Sequence, residues 1–210
     1  MSENEKSKNR IDKTISRLVA SRSNSEAKEI YHQWQSYDSD LEEHGYVAPE
    51  IAVAKLVKNL DDKHALIHDA GCGTGKVGVL LKQAGFTRLE GSDLSESMLE
   101  RADKHQIYSK LSVADFSTRL DETGGRFDAA ISVGVWKDSF GPSFTKELVR
   151  ITKPGGTIVI TVRPQFLPAL ETVLKELQSN ESIDIVANDL DDYMTGQQAK
   201  AHFVVLRRLS

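Results

Sequence analysis

The chain has 210 residues, 39% hydrophobic and 28% charged, with a formal net charge of −4. That length suits one α/β domain with a substantial core, and that charge gives no general ground for binding a polyanion. One cysteine, Cys72, excludes an intramolecular disulfide, no apolar run reaches membrane-span length, and the polar N-terminus lacks a signal core, so a cytoplasmic location without membrane contact is expected.

Met1 to Arg10 is polar and reads as disordered. Ile11, Ile15, Leu18 and Val19 fall on one helical face, so residues 1–24 read as a polar arm, partly disordered or helical. Ser21 to Ser25 is a polar break, with Ser25 placed to cap the next helix. On that helix Ile30, Tyr31, Trp34 and Tyr37 form an aromatic stripe that faces the core or covers a cofactor. Asp38 to Tyr46 reads as an acidic connector, and Pro49 opens a helix running to about Leu60. Residues 25–60 are thus expected to form a helical lid over a core of residues 61–210.

The core begins with a short apolar run, Ala65 to Ile67, followed by His68-Asp69-Ala70-Gly71-Cys72-Gly73-Thr74-Gly75 and a helix, Lys76 to Ala84, that Gly85 ends. Strand, glycine-rich turn and helix open a nucleotide-binding α/β sheet. A phosphate-binding P-loop is excluded, because Val77 stands where its hydroxyl residue belongs and Ala70 where its first glycine belongs. Gly73-x-Gly75-x-x-Gly78 matches a dinucleotide fingerprint weakly. Asp69-x-Gly71-x-Gly73-x-Gly75 suits a ligand with ammonium and sulfonium charges better than a pyrophosphate, which the acid would repel.

A second strand should end at Asp93 and a helix follow from about Ser95 to His105. Leu111 to Ala114 reads as a third strand ending at Asp115, and Phe127 to Val133 as a fourth. Thr145 to Thr152 reads as a helix broken by Lys153-Pro154-Gly155-Gly156, and Thr157 to Val162 as a buried fifth strand. A helix from Pro168 to Gln178 and strands at Ile183 to Val186 and His202 to Leu209 complete the chain, with Asn188 to Ala201 as a long polar connection. This alternation predicts an open, mostly parallel sheet with helices on both faces, its ligand beyond the carboxyl ends of the strands. Asp69, Asp93, Asp115 and Val133 to Trp136 all stand at such ends. Asp93 suits a ribose diol in either cofactor class, or simply caps a helix. Asp115 suits an adenine amine flanked by Ala114 and Phe116, or an ordinary turn.

Taken together, Asp69 to Gly75, Gly91-Ser-Asp-Leu-Ser95 with Met98-Leu99, Val113 to Phe116, Phe127 to Ile131 and Leu148 to Ile160 resemble the successive motifs of class I S-adenosylmethionine-dependent methyltransferases. Upstream, Tyr31-x-x-Trp34-x-x-Tyr37-Asp38 and Leu41 to Pro49 resemble the N-terminal segment of methyltransferase-like proteins of the Williams–Beuren syndrome region. The resemblance implies a Rossmann-like, doubly wound, seven-stranded α/β sheet with its last strand antiparallel, N-terminal helices, and S-adenosylmethionine as cofactor. The candidate cofactor contacts are then Tyr31, Trp34, Tyr37, Asp69, Ala70, Gly71, Gly73, Gly75, Asp93, Leu94, Met98, Ala114, Asp115, Phe116 and Val133.

Methyl transfer needs alignment and dry surroundings more than a fixed catalytic group, so none must appear in the sequence. His44, Asp138, Tyr193 and His202 are the candidate acid or base residues, each with a structural or solvated role as the competing reading. No metal site is assigned. Gly134-Val135-Trp136-Lys137-Asp138 stands where amide and base-amine methyltransferases of this fold carry Asn-Pro-Pro-[Tyr/Phe], so a small-molecule acceptor and no nucleic acid partner are expected. An NAD(P)-dependent oxidoreductase, read from the weak fingerprint, and a non-catalytic cofactor-binding protein are the alternatives.

Overall fold

The computed structural model describes residues 3–21 and 23–210; the expectations for Met1, Ser2 and Arg22, and for the side chains before Ile11 and of Val19, lie outside the described residues. Strands β1 (Leu66–Ala70), β2 (Arg88–Asp93), β3 (Tyr108–Val113), β4 (Phe127–Ser132), β5 (Thr152–Val162), β6 (Ile183–Met194) and β7 (Ala199–Arg208) form one sheet in the order β3-β2-β1-β4-β5-β7-β6. β1 to β5 pair in parallel, while β7 runs antiparallel to both β5 and β6. This is the doubly wound, Rossmann-like sheet with an antiparallel last strand that the sequence leads one to expect.

Period-two alternation divides the core between the two faces. Val159, Phe203 and Val205 meet α4 (Ala48–Lys58) and α5 (Lys76–Gln83) on one side. Ile158, Ile160, Val204 and Leu206 meet α7 (Gly141–Ile151) and α8 (Leu167–Ser179) on the other. Central strands buried on both faces must be apolar throughout, which is why Thr157 to Val162 is so rich in β-branched residues. The strand order reverses between β1 and β4, and the crevice at such a point is where ligands of these sheets bind. α6 (Glu96–Asp103) packs Leu99 and Ala102 against Cys72, behind the glycine turn.

Several local expectations are corrected. The polar stretch expected to be disordered is helical from Glu3, in α1 (Glu3–Ala20), because Ile11 is buried in the core cluster and Ile15 and Leu18 pack against it. Ser23, not Ser25, caps α2 (Asn24–Gln33), its hydroxyl accepting from the Glu26 amide at 3.2 Å. Much of the acidic connector is a helix, α3 (Tyr37–Glu43), anchored by the buried Asp40, which accepts from Trp34 Nε1 at 2.6 Å and Ser36 Oγ at 2.7 Å. β3 begins at Tyr108 rather than Leu111, and α7 begins at Gly141 with a proline in its first turn. Lys153 to Gly156 does not break the chain between elements. It lies within β5, where pairing with β4 jumps from Phe127↔Thr152 to Ala129↔Thr157.

The long polar connection after Val186 is mostly strand. β6 continues to Met194 and pairs Asp189, Leu190, Asp191 and Asp192 with Phe203, His202, Ala201 and Lys200. An edge strand tolerates such polar residues because one side of it faces solvent. Lys55 Nζ, at 2.7 and 2.9 Å from Asp189 and Asp191, ties that acidic strand back to α4.

Candidate functional site

β1 delivers the chain into the glycine turn, and backbone bonds lock the turn to β2: the Gly71 and Cys72 amides both donate to the Ser92 carbonyl, at 2.7 and 3.0 Å. Asp93, at the end of β2, completes the lock, accepting from the Gly73 amide at 2.9 Å and from the Ser95 amide at 2.8 Å. Burial pushes the Asp93 carboxyl up, against the pull of those amides. Gly73 has φ +52, and a Cβ on it would meet nothing within 4 Å. The open space above that atom is where the main chain can be approached by a ligand.

Asp69 lies beneath the turn. Its Oδ2 accepts from the Tyr108 hydroxyl at 2.6 Å, while Oδ1, also buried, has no hydrogen-bond partner among the described residues. Gly78 explains how Tyr108 gets there: a Cβ on Gly78 would lie 2.3 Å from the Tyr108 hydroxyl oxygen. The third glycine of the apparent dinucleotide fingerprint thus clears a path for a tyrosine.

The N-terminal helices cover the turn. Thr74 Oγ1 donates to Asp38 at 2.5 Å, Arg101 donates to the Trp34 carbonyl at 3.2 Å, and Asn24 donates to Asp115 at 2.6 Å. Tyr37 stands edge-on to both Trp34 and Tyr31, with ring centroids 5.1 and 6.0 Å apart. Lys137 Nζ donates to the Leu18 carbonyl at 2.9 Å, satisfying an end of α1. Between cover and sheet lies a cavity of about 410 Å³.

Of the candidate cofactor contacts, Tyr31, Trp34, Tyr37, Gly71, Gly73, Asp93, Leu94, Met98, Phe116 and Val133 line this cavity. Asp69, Ala70, Gly75, Ala114 and Asp115 do not. Asp69 and Ala70 are buried under the turn, and Gly75 faces Ala102 and His105 of the α6 end. Ala114 is fixed by its amide bond to the Asp93 carbonyl. Asp115 spends its oxygens on Asn24 and on the Ser117 amide and hydroxyl, so it shapes the rim of the site.

Of the four candidate acid or base residues only Tyr193 reaches the cavity. His44 is buried and neither ring nitrogen has a hydrogen-bond partner among the described residues, Nε2 lying 3.9 Å from Asp12. Asp138 is exposed, and His202 bonds Asn188 of β6 at 2.8 Å. Among the described residues no group of three His, Cys, Asp or Glu could hold a metal ion, and no helix is long and apolar enough to cross a membrane.

Sequence reasoning missed the other end of the cavity. An antiparallel bridge between Tyr46 and Met194 sets Tyr46 beside Tyr193, ring centroids 5.1 Å apart. Both hydroxyls converge on Gly134, within 2.9 and 3.1 Å of where its Cβ would stand. Burial pushes the Tyr31, Tyr37 and Tyr46 hydroxyls above their ordinary value, so they stay protonated and donate. Arg163 lies over the Tyr193 ring at 5.4 Å, with Phe140 and Phe166 also lining the cavity. Arg163 was legible in principle, because it directly follows the fifth strand, at a carboxyl end.

Comparison with known proteins then shows what the chain is similar to. A methyltransferase domain model matches residues 67–156. The chain is 36% identical to human Methyltransferase-like protein 27 over 158 residues, 71% of this chain and 64% of that one. It is 29% identical to the 18S rRNA (guanine-N(7))-methyltransferase RID2 of Arabidopsis thaliana over 170 residues, 75% of this chain and 57% of that one. The solved magnesium protoporphyrin IX methyltransferase of Synechocystis, with bound S-adenosylmethionine, superposes with TM-score 0.61 at 18% identity, covering 94% of this chain and 97% of that one.

These likenesses support a class I S-adenosylmethionine-dependent methyltransferase. The site fits S-adenosylmethionine, the ligand of that Synechocystis structure: Gly73 leaves room above the turn, Asp69 keeps one buried carboxylate oxygen without a partner among the described residues, and Phe116 offers a ring. The chain spans less than two thirds of either curated relative.

The expectation of no nucleic acid partner is overturned, since 18S rRNA guanine-N7 methyltransferases from several organisms are among the relatives. Guanine N7 carries a free lone pair. It needs none of the hydrogen bonding that an Asn-Pro-Pro segment supplies to an amide or exocyclic amine, so lacking that segment excludes nothing about such a base.

Two buried groups make the stability of the ligand-free protein depend on pH in opposite senses. Burial raises Asp69 to about 7 from near 3.9 unfolded. Between about 4 and 7 the folded state therefore holds the extra proton, and this group's contribution falls as pH rises. Burial lowers His68, stacked on Phe127 and bonded to Ser92 at 3.0 Å, to about 4. Its contribution is complete above about 6.5 and is lost as pH falls towards 4. Wild type should show a flattened melting profile between about pH 4.5 and 6.5. Asp69→Asn should melt lower on acidification, and His68→Gln higher, in differential scanning fluorimetry. Parallel profiles for all three proteins would refute the assignment.

Proposed function

We propose that this protein transfers the methyl group of S-adenosylmethionine to a small acceptor held in the same cavity. One observation carries the reading: a single covered cavity joins the glycine turn and Asp93 to the Tyr46–Tyr193–Arg163 patch. The cofactor supplies an electrophilic methyl on a sulfonium that leaves as a neutral thioether. Asp93, already fixed by two amides, is oriented to accept from a ribose diol, and the unpaired oxygen of Asp69 suits an ammonium. Phe116 and Met98 flank the base, while Tyr31, Trp34 and Tyr37 exclude water above it. The tyrosine hydroxyls over Gly134 orient the acceptor as donors. A base is needed only if the acceptor must lose a proton, and Tyr46, held protonated by burial, does not provide one.

The test measures S-adenosylhomocysteine release by the full chain against small carboxylates, amines and phenols, with an 18S rRNA fragment as a separate arm. Thermal shifts with S-adenosylhomocysteine and NAD run alongside. A ligand at about a hundred times its Kd adds roughly 2.7 kcal/mol, or about 5–10 °C here. Release with a small acceptor supports the reading. Release with the RNA alone replaces the acceptor class, and a shift with NAD alone overturns the cofactor.

A further inference from the structure

We propose that Arg163 is the specificity-determining residue of an acceptor subsite for a small organic carboxylate; this rests on the cofactor reading above. Among the described residues, three charged side chains line the cavity: Asp93, Lys137 and Arg163. Asp93 is anionic and assigned above to the ribose, and Lys137 is spent on the Leu18 carbonyl and, at 3.1 Å, the Ser21 hydroxyl. Arg163 remains. Its guanidinium is half-buried and lies over the Tyr193 ring, and among the described residues no carboxylate pairs with it. Asp12, across a neighbouring shallow cleft, is engaged by Gln197 instead.

The position is built into the fold. Arg163 leaves β5 at its carboxyl end, and the following Pro164 confines it to an extended backbone, observed at φ −66° and ψ 147°. A cation left unpaired in a partly dry site is costly unless a ligand completes it. The planar fork of arginine matches a carboxylate through two parallel hydrogen bonds. One guanidinium with apolar neighbours, Phe140, Phe166 and Leu18, fits a singly charged group on an apolar body. A phosphate dianion or a polynucleotide backbone would call for several cations. Arg163 touches no cofactor-binding residue of the turn in this account, so its loss should separate acceptor binding from cofactor binding.

The experiment uses calorimetry on the full chain. S-adenosylhomocysteine is titrated first, then phenylacetate, phenylacetamide and phenyl phosphate into the saturated protein. Phenylacetate should bind at least about tenfold tighter than the amide. Arg163→Met should weaken phenylacetate by roughly tenfold or more, leaving the amide and S-adenosylhomocysteine within about threefold; Arg163→Lys, which keeps charge but loses the fork, should fall between. Failure of S-adenosylhomocysteine to bind would sink the cofactor reading. Normal cofactor binding with no preference for phenylacetate over the amide would overturn this inference alone, as would a preference for phenyl phosphate. An Arg163→Met effect equal on all ligands would reduce Arg163 to a structural residue.

Discussion

Gly73→Asn should fold and fail to bind S-adenosylhomocysteine, with affinity down by at least about a hundredfold. The residue has φ +52, in the left-handed region, where asparagine is the side chain that costs least. The penalty there is on the order of 1 kcal/mol, or about 2–4 °C in a chain of this size. The backbone amide bond to Asp93 survives, because it uses no side-chain atom. What changes is the space above the turn, empty within 4 Å of the Cβ position and now filled by an amide group. Gly71 would not serve, since its Cβ would sit 2.1 Å from a Val135 methyl and any substitution would disturb the turn itself. A protein that melts within a few degrees of wild type and still binds cofactor would show that the ligand does not approach the turn over Gly73.

Fold class was legible because it rests on signals that a sequence states locally. β-branched runs, the glycine turn and the glycine after α5 each mark an element by backbone chemistry alone. The errors fall where tertiary pairing overrides those signals. β6 is polar from Asp189 to Asp192, yet it is strand because β7 supplies the ladder and Lys55 the counter-charge. α3 looks like an acidic loop, but one of its acids, Asp40, is the buried acceptor for Trp34. In the site, Asp93 and Gly73 were readable from their places at strand and turn. Asp115 was read from the same rule, but nothing local to it reveals that Asn24, ninety-one residues away, donates to its oxygen. Tyr46, Tyr193 and Arg163 come from three separated segments. Only the register that pairs Tyr46 with Met194 brings the first two together.

That dependence on long-range closure makes Trp34 the residue on which the cover rests. It is 5% exposed, ends α2, donates to Asp40 and stands edge-on to Tyr37. Truncating a buried tryptophan to alanine costs about 3–5 kcal/mol. The sheet does not need it: β1, β4 and β5 are held by their own ladders and by α7 and α8. The cover joins the core cluster through Ile11, Trp34 and Leu41, and the turn and rim through polar ties, Asp38 to Thr74, Asn24 to Asp115 and the Trp34 carbonyl to Arg101. Trp34 is one of the three buried apolar anchors of the cover, so a loss of that size should open the segment locally before it unfolds the sheet. Trp34→Ala is therefore expected to lose amide protection across α1 to α3 in hydrogen exchange while β1, β4 and β5 keep theirs. Affinity for S-adenosylhomocysteine should drop about ten- to a hundredfold, as one aromatic wall is lost and two are displaced. Trp34→Phe keeps a ring and gives up one bond to an Asp40 that Ser36 still satisfies, so it should cost only about 1 kcal/mol of protection there. Uniform loss of protection through the sheet in Trp34→Ala would mean that cover and sheet fold as one cooperative unit, and then the cavity could admit its ligands only through side-chain movements at the rim.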